Sequence, residues 1–327
     1  MTFVKLCVVC TLLTATLIAA ETPSPALLVL NKADKALAIV DPASGKVVAR
    51  VSVGEGPHEV TASTDGKFAF VGNYGQQTPG NTISVIDLAS QKELRRVDLG
   101  PLQRPHGMFF AAGKVYFTCE TNRLIGRYDP VANQIDWLFG TGQATTHMVI
   151  TNPDASRIFT SNIGSDTVSV IERVAGPAGW TETVIPVGKG PEGIDWSPDG
   201  KEIWSASGGD GGVSIIDVDT KKVTHTLSVG SKRTNRLKFT PNGKLVLLSD
   251  RDGGQLIVLD RATKQERARI PMGRNPEGIQ MEPDGAHAYV AQEGANDVAI
   301  VDLKTLSISG HISTGNGPDG MAWAIRK

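Results

Sequence analysis

One short phrase recurs seven times along the chain, and each copy carries its own polar residue at the centre. The copies read GPHEV around His58, RPHGM around His106, TTHMV around His147, GPEGI around Glu192, RTNRL around Asn235, NPEGI around Glu277 and GPDGM around Asp319. Successive centres lie 48, 41, 45, 43, 42 and 42 positions apart. A period of that size means one supersecondary unit repeated, because a single unit cannot bury its apolar face alone and must stack on its neighbours.

Within each period the residues alternate as half-buried strands do. From His58 onward EVTASTDG ends in a turn, and KFAFVGNYG, NTISVIDLAS and QKELRRVDLG follow. Four strands, A to D, at this spacing make the blade of a β-propeller. The turn from A to B recurs as STDG, NPDA, SPDG, TPNG and EPDG, where Pro, Asp, Asn and Gly supply the required backbone angles. The predicted fold is therefore an all-β, seven-bladed propeller with four antiparallel strands per blade. The N-terminal stretch offers strands B, C and D (ALLVLNK, ALAIVD, GKVVARVSVG), and the C-terminal stretch offers a lone A, DGMAWAIRK. Joining them completes one blade and removes two sheet edges.

Residues 1–20, with Lys5 near the start, an apolar run and Ala19 and Ala20 at the end, predict a signal peptide. Residues 21–327 are then one exported domain, periplasmic or extracellular, with no membrane span. The run is shorter than the roughly 18 to 20 residues a span requires. The leader takes Lys5, Cys7 and Cys10, leaving 32 basic residues against 34 acidic ones and Cys119 as the lone cysteine. Near-neutral charge argues against a nucleic-acid partner. A single cysteine forms no internal disulfide, and a chain of this size holds itself by apolar burial as a monomer.

The B strands end in FVGN, FTSN and YVAQ, C strands read ISVIDLAS and VSIIDVDT, and loops into strand A read VGxGP. In these motifs the chain resembles the YVTN family of secreted or surface bacterial propellers over essentially its whole mature length. The resemblance implies the seven-bladed fold and relatives that range from surface-layer and periplasmic binding proteins to lactonases.

Strand A is innermost, so the seven central residues are expected to ring the mouth of the channel. A second tier is expected at the last residues of the B strands: Asn31, Asn73, Cys119, Asn162, Ser207, Asp250 and Gln292. Three consecutive imidazoles and the carboxylate that follows, His58, His106, His147 and Glu192, are a donor set for a divalent transition metal such as Zn, Fe or Cu. Glu277 or Asp319 across the mouth would then serve as a catalytic base. Asn235, Asn73, Asn162 and Asp250 supply hydrogen-bonding groups for a ligand. The loop cations Lys189, Arg233 and Arg274, with Lys232 and Arg236, form a basic sector suited to a small anionic molecule.

Two functions follow: a binding or scaffold module recognising a small anionic ligand or a protein partner, and a metal-assisted hydrolase of the lactonase kind. The two GxGxxG matches, at Gly188 and Gly315, lead into strands rather than helices and are repeat punctuation. The long connection YGQQTPGN, Tyr74 to Asn81, sits at the mouth as a candidate lid. ERVAGPAGWTE extends a turn on the opposite face, with Trp180 expected to pack on its blade.

Overall fold

The computed structural model describes residues 21–176 and 179–327, so the expected leader lies outside the described residues. Twenty-eight strands, β1 to β28 in chain order, form seven four-stranded antiparallel sheets. In blade 1, β28 (Pro318–Ala324) pairs with β1 (Ala26–Asn31), which continues to β2 (Ala36–Asp41) and β3 (Lys46–Ser52). Ala26 lies opposite Ala324 and Leu28 opposite Ala322. The ring closes as the out-of-phase chain ends predict.

The core is divided among the blade interfaces. Seven apolar clusters each combine residues of adjacent blades, such as Leu28 and Ile39 with Val71 and Ile86, or Ile150 and Phe159 with Ile194 and Ile203. Inner strands carry continuous buried runs, as in ALLVL of β1, because both faces of each sheet are covered. Outer strands alternate instead: Lys92–Asp98 reads exposed, half-buried, exposed throughout. Trp180 packs on the neighbouring blade, its ring 5.1 Å from that of Trp137.

The innermost strands are β4 (Pro57–Ala62), β8 (Pro105–Ala111), β12 (Thr146–Thr151), β16 (Pro191–Trp196), β20 (Thr234–Phe239), β24 (Pro276–Met281) and β28. Each contains a β-bulge at the same place. In β4, Pro57 faces Asn73 and Val60 faces Val71, so three steps on one strand match two on the other. The same slip occurs in the other six. A bulge bends the strand and re-aims a side chain. Here it falls on the second residue of each inner strand, the polar centre of the repeated phrase.

The third residue of these strands meets the next blade. At Gly320 a Cβ would stand 2.2 Å from the His58 carbonyl oxygen, so glycine is required for the blades to approach. Three blades carry larger residues there, Glu59, Met148 and Arg236, and these fill the axis. Arg236 Nη2 donates to Glu59 Oε1 at 2.8 Å, joining blades on opposite sides of the ring. Both side chains are about one-tenth exposed. This ion pair separates a polar mouth cavity of about 330 Å³ from a lower cavity of about 270 Å³ lined by Met108, Met148, Ile194, Ile279 and Met321.

Candidate functional site

All seven predicted centres line or border the upper cavity: His58, His106, His147, Glu192, Asn235, Glu277 and Asp319. The second tier differs from expectation by one residue. Asn73 accepts from the Gly54 amide and donates to Thr82 and Ser84. Asn162 spends its amide on Thr167 and Ser169, and Asp250 accepts from the amides of Lys232, Arg233 and Gly253. These three, expected to bind ligand, are buried and committed inside their blades. The Cys119 thiol is likewise buried, and burial pushes its pKa up, so it is no thiolate ligand.

The residue after each B strand reaches the cavity in their place, because successive side chains point to opposite sides. Lys32, Tyr74, Glu120, Ile163 and Arg251 line it, and Glu293 borders it. Their amides are held alike: Lys32 N–H donates to the Gly317 carbonyl, Tyr74 to Gly56, Glu120 to Arg104, Ile163 to Thr145, Arg251 to Arg233 and Glu293 to Asn275. Most of those carbonyl residues have positive φ. Glycine meets that need in three blades, but Arg104 has φ 56° and Thr145 φ 54°. A β-branched residue in this region is strained, and strain collects at functional sites. Both strained residues sit two or fewer positions before a cavity histidine, His106 or His147.

The histidine side of the mouth is a cluster of close aromatic rings. The His58 and His106 rings lie 5.2 Å apart and those of His106 and His147 3.8 Å apart. Burial lowers the pKa of His58, and burial together with the neighbouring imidazoles holds His106 well below the usual range. His58 Nδ1 lies 2.8 Å from the Gly56 carbonyl, which fixes Nδ1 as the donor and leaves Nε2 a free lone pair. His147 Nδ1 lies 2.5 Å from Glu120 Oε1, while Tyr74 donates its hydroxyl to Glu120 Oε2 at 2.5 Å. Burial and the Glu120 carboxylate push Tyr74 up to about 12. Arg104 stacks over the Tyr74 ring at 4.7 Å, fastening the long hairpin between β5 (Phe68–Gly75) and β6 (Pro79–Asp87) over the mouth.

The opposite side is a network of paired charges. Arg251 bridges Glu277 and Glu293, and Lys32 bridges Glu293 at 2.8 Å and Asp319 at 3.3 Å. Glu192, expected to complete the metal set, instead accepts from Asn235 Nδ2 at 2.8 Å and lies 3.4 Å from Arg233. Asn235 is spent as well, since its Oδ1 accepts from Arg236 Nη1 at 3.0 Å. Within the basic sector, Arg233 and Arg236 are thus paired with carboxylates of the protein. Lys189 and Arg274, expected to bind ligand, are exposed and outside the cavity, with Arg274 donating to the Gly294 carbonyl.

Burial and the nearby Asp319 charge push Glu277 up to about 8, against the pull of Lys32 and Arg236. Asp319 is also buried, but Lys32, Arg236 and His58 hold it below the usual carboxylate range. Among this otherwise paired set, His106 Nδ1, His147 Nε2 and Asp319 Oδ1 are buried without any hydrogen-bond partner. The three residues are at most one-twentieth exposed. Buried polar atoms are rarely left so, and these three residues line one cavity.

Fold and mouth define a seven-bladed propeller with a polar cavity on its axis. The chain belongs to the lactonase, 7-bladed beta-propeller family, whose model matches residues 35–314. It is similar to Antigen Lp49 of Leptospira interrogans, at 24% identity over 200 residues covering 53% of this chain and 42% of that protein. It is also similar to the seven-bladed beta-propeller protein Rv1057 of Mycobacterium tuberculosis, at 26% identity over 43% of this chain and 37% of that one. The match thus spans less than half the length of either relative. Among solved structures, Kuenenia stuttgartiensis hydrazine synthase superposes with a TM-score of 0.73 at 19% identity, covering 89% of this chain and 99% of that one. A candidate 6-phosphogluconolactonase from Bacteroides fragilis NCTC 9343 superposes with a TM-score of 0.76 at 15% identity, covering 93% and 99%. At these identities the structural likeness speaks for the fold alone.

Proposed function

We propose that the channel mouth is an active site that opens small cyclic esters by hydrolysis. One observation carries this reading: His58, an imidazole with a fixed free lone pair, and Glu277, a carboxyl that burial and Asp319 push up to about 8, line the same cavity. His58 Nε2 takes a proton from water as the water oxygen adds to the ester carbonyl carbon. The buried Asp319 carboxylate stabilises the imidazolium that forms. Glu277 then gives its proton to the ring oxygen as the carbon–oxygen bond breaks, releasing a hydroxy acid. Opposed acid and base roles in one cavity follow from environments that push the two pKa values apart. Family membership supports ring-ester chemistry.

The small anionic ligand expected from the sequence becomes the carboxylate product in this reading. A second reading keeps the reaction and adds a divalent transition metal, favoured by donor atoms of His106, Glu120 and His147 lying within 4.8 Å of one another. Export is part of the proposal on the strength of residues 1–20 alone.

The test is proton release from five- and six-membered lactones, compared between the wild type and His58→Ala. Loss of a general base removes about 10²- to 10⁴-fold in kcat/KM. A variant as active as the wild type, or a folded wild type that opens no lactone in a broad panel, sinks the reading.

A further inference from the structure

We infer that the stacked pair His106 and His147 is a binding site for one borderline divalent ion of the Zn²⁺ class, with Glu120 as its outer-shell partner. The inference rests on the metal-assisted reading of the same mouth and deepens it, from two atoms that the metal-free reaction leaves unused. His106 Nδ1 and His147 Nε2 are both buried and both unpartnered, on adjacent blades whose imidazole rings lie 3.8 Å apart. Two neighbouring dry nitrogens without a protein partner are explained together by a single shared ligand that accepts both lone pairs.

The surroundings have the form a histidine metal site requires. A ligating imidazole passes its other N–H to a carboxylate, which fixes the tautomer and raises the basicity of the ligating nitrogen. Glu120 does this for His147 through Nδ1, and Tyr74 in turn donates to the second Glu120 oxygen. Both Glu120 oxygens are therefore engaged, which makes it an orienting group rather than an inner ligand. His58, its ring 5.2 Å from His106, flanks the pair on the next blade.

The donor chemistry also sets the class of ion. Neutral imidazoles suit Zn²⁺, Cu²⁺, Co²⁺ and Ni²⁺, whereas Mg²⁺ and Ca²⁺ require a shell of oxygen ligands. Glu192, the carboxylate expected in the set, is not free to join, because Asn235 and Arg233 hold it. The sequence-level set of His58, His106, His147 and Glu192 is thereby revised to His106 and His147, oriented by Glu120 and flanked by His58.

The experiment is titration of the metal-stripped protein with Zn²⁺ alone, followed by elemental analysis after gel filtration, with Co²⁺ as a spectroscopic probe. The expected result is one equivalent of Zn²⁺ and intense visible Co²⁺ bands of a low-coordinate nitrogen site. His106→Ala and His147→Ala should each abolish both, while His225→Ala, on an exposed outer strand, should change neither. Glu120→Gln preserves shape, guards against misfolding of the histidine variants, and should weaken Zn²⁺ binding 10- to 100-fold. Zn²⁺ bound equally by wild type and both histidine variants, or no stoichiometric Zn²⁺ at all, overturns the inference. Lactone turnover without Zn²⁺ binding would overturn it and leave the hydrolase reading standing. Zn²⁺ binding without turnover would do the reverse.

Discussion

Replacing Arg236 by Met probes the ion pair that bolts the channel. The Arg236 and Glu59 side chains are 9% and 11% exposed, so the pair is nearly dry, and Arg236 also satisfies Asn235 Oδ1. Removing one partner of a buried pair costs about 3–5 kcal/mol, because the other charge stays buried and unpaired. At roughly 2 °C per kcal/mol for a chain of this size, Tm should fall by about 6–10 °C. The Glu59→Gln, Arg236→Met double variant leaves no stranded charge and should lie within about 2 kcal/mol of the wild type. Burial already pushes the Glu59 carboxyl up, and without the guanidinium it rises further. A raised carboxyl means that the folded state binds more protons than the unfolded one, so the Arg236→Met variant should regain stability as pH falls from 7 to 5. Urea unfolding of all four members of the cycle at both pH values measures this. A single-variant cost under about 1 kcal/mol with no pH dependence would refute the view that the bolt is a buried ion pair.

Because Glu277 must hold its proton to act as the acid, kcat/KM for lactone opening should decline above about pH 8, and a profile flat to pH 10 would contradict that role. The same raised value makes Glu277 a source of stability that is lost as pH rises between its ordinary 4.5 and about 8, and Glu277→Gln should flatten the stability profile over that window. Gly320→Ala places a methyl against the His58 carbonyl and should cost about 1–3 kcal/mol in urea unfolding. Thr145→Gly relieves a left-handed β-branched residue and should raise stability by about 1 kcal/mol while loosening His147, seen as a higher Tm with lower turnover.

The ring, its closure and its first polar tier were legible because each rests on a repeated local rule. The second tier was misplaced by one residue for a physical reason. Asn73, Asn162 and Asp250 lie at or near the ends of their strands and look like the natural lining, yet a period of two turns them into the blade, where Asn73 and Asp250 clamp the incoming loop and Asn162 bonds the next strand. The signal that would have found Glu120, Arg251 and Lys32 is the step from a small or amide residue at the strand end to a charged residue one place later. The pairing of the basic sector was out of reach for a different reason. Arg236 meets Glu59 across 177 positions, and Lys32 meets Asp319 across the ring closure, so no spacing rule within one repeat reports either. Glu192 illustrates the same limit, since its place in the repeat matches that of His147 while its partners come from the following blade.

The seam in blade 1 gives the molecule an unequal response to force. The first and last strands run antiparallel with both chain ends leaving from the same edge, where Arg326 ties Glu21 and the Thr22 carbonyl. Tension applied to those two ends peels β28 from β1 one hydrogen bond at a time, as a zip opens. Heat or denaturant must instead disrupt wedges of packed side chains all around the circle. A molecule that resists boiling far better than tugging would be the mechanical signature of a ring fastened at a single hem.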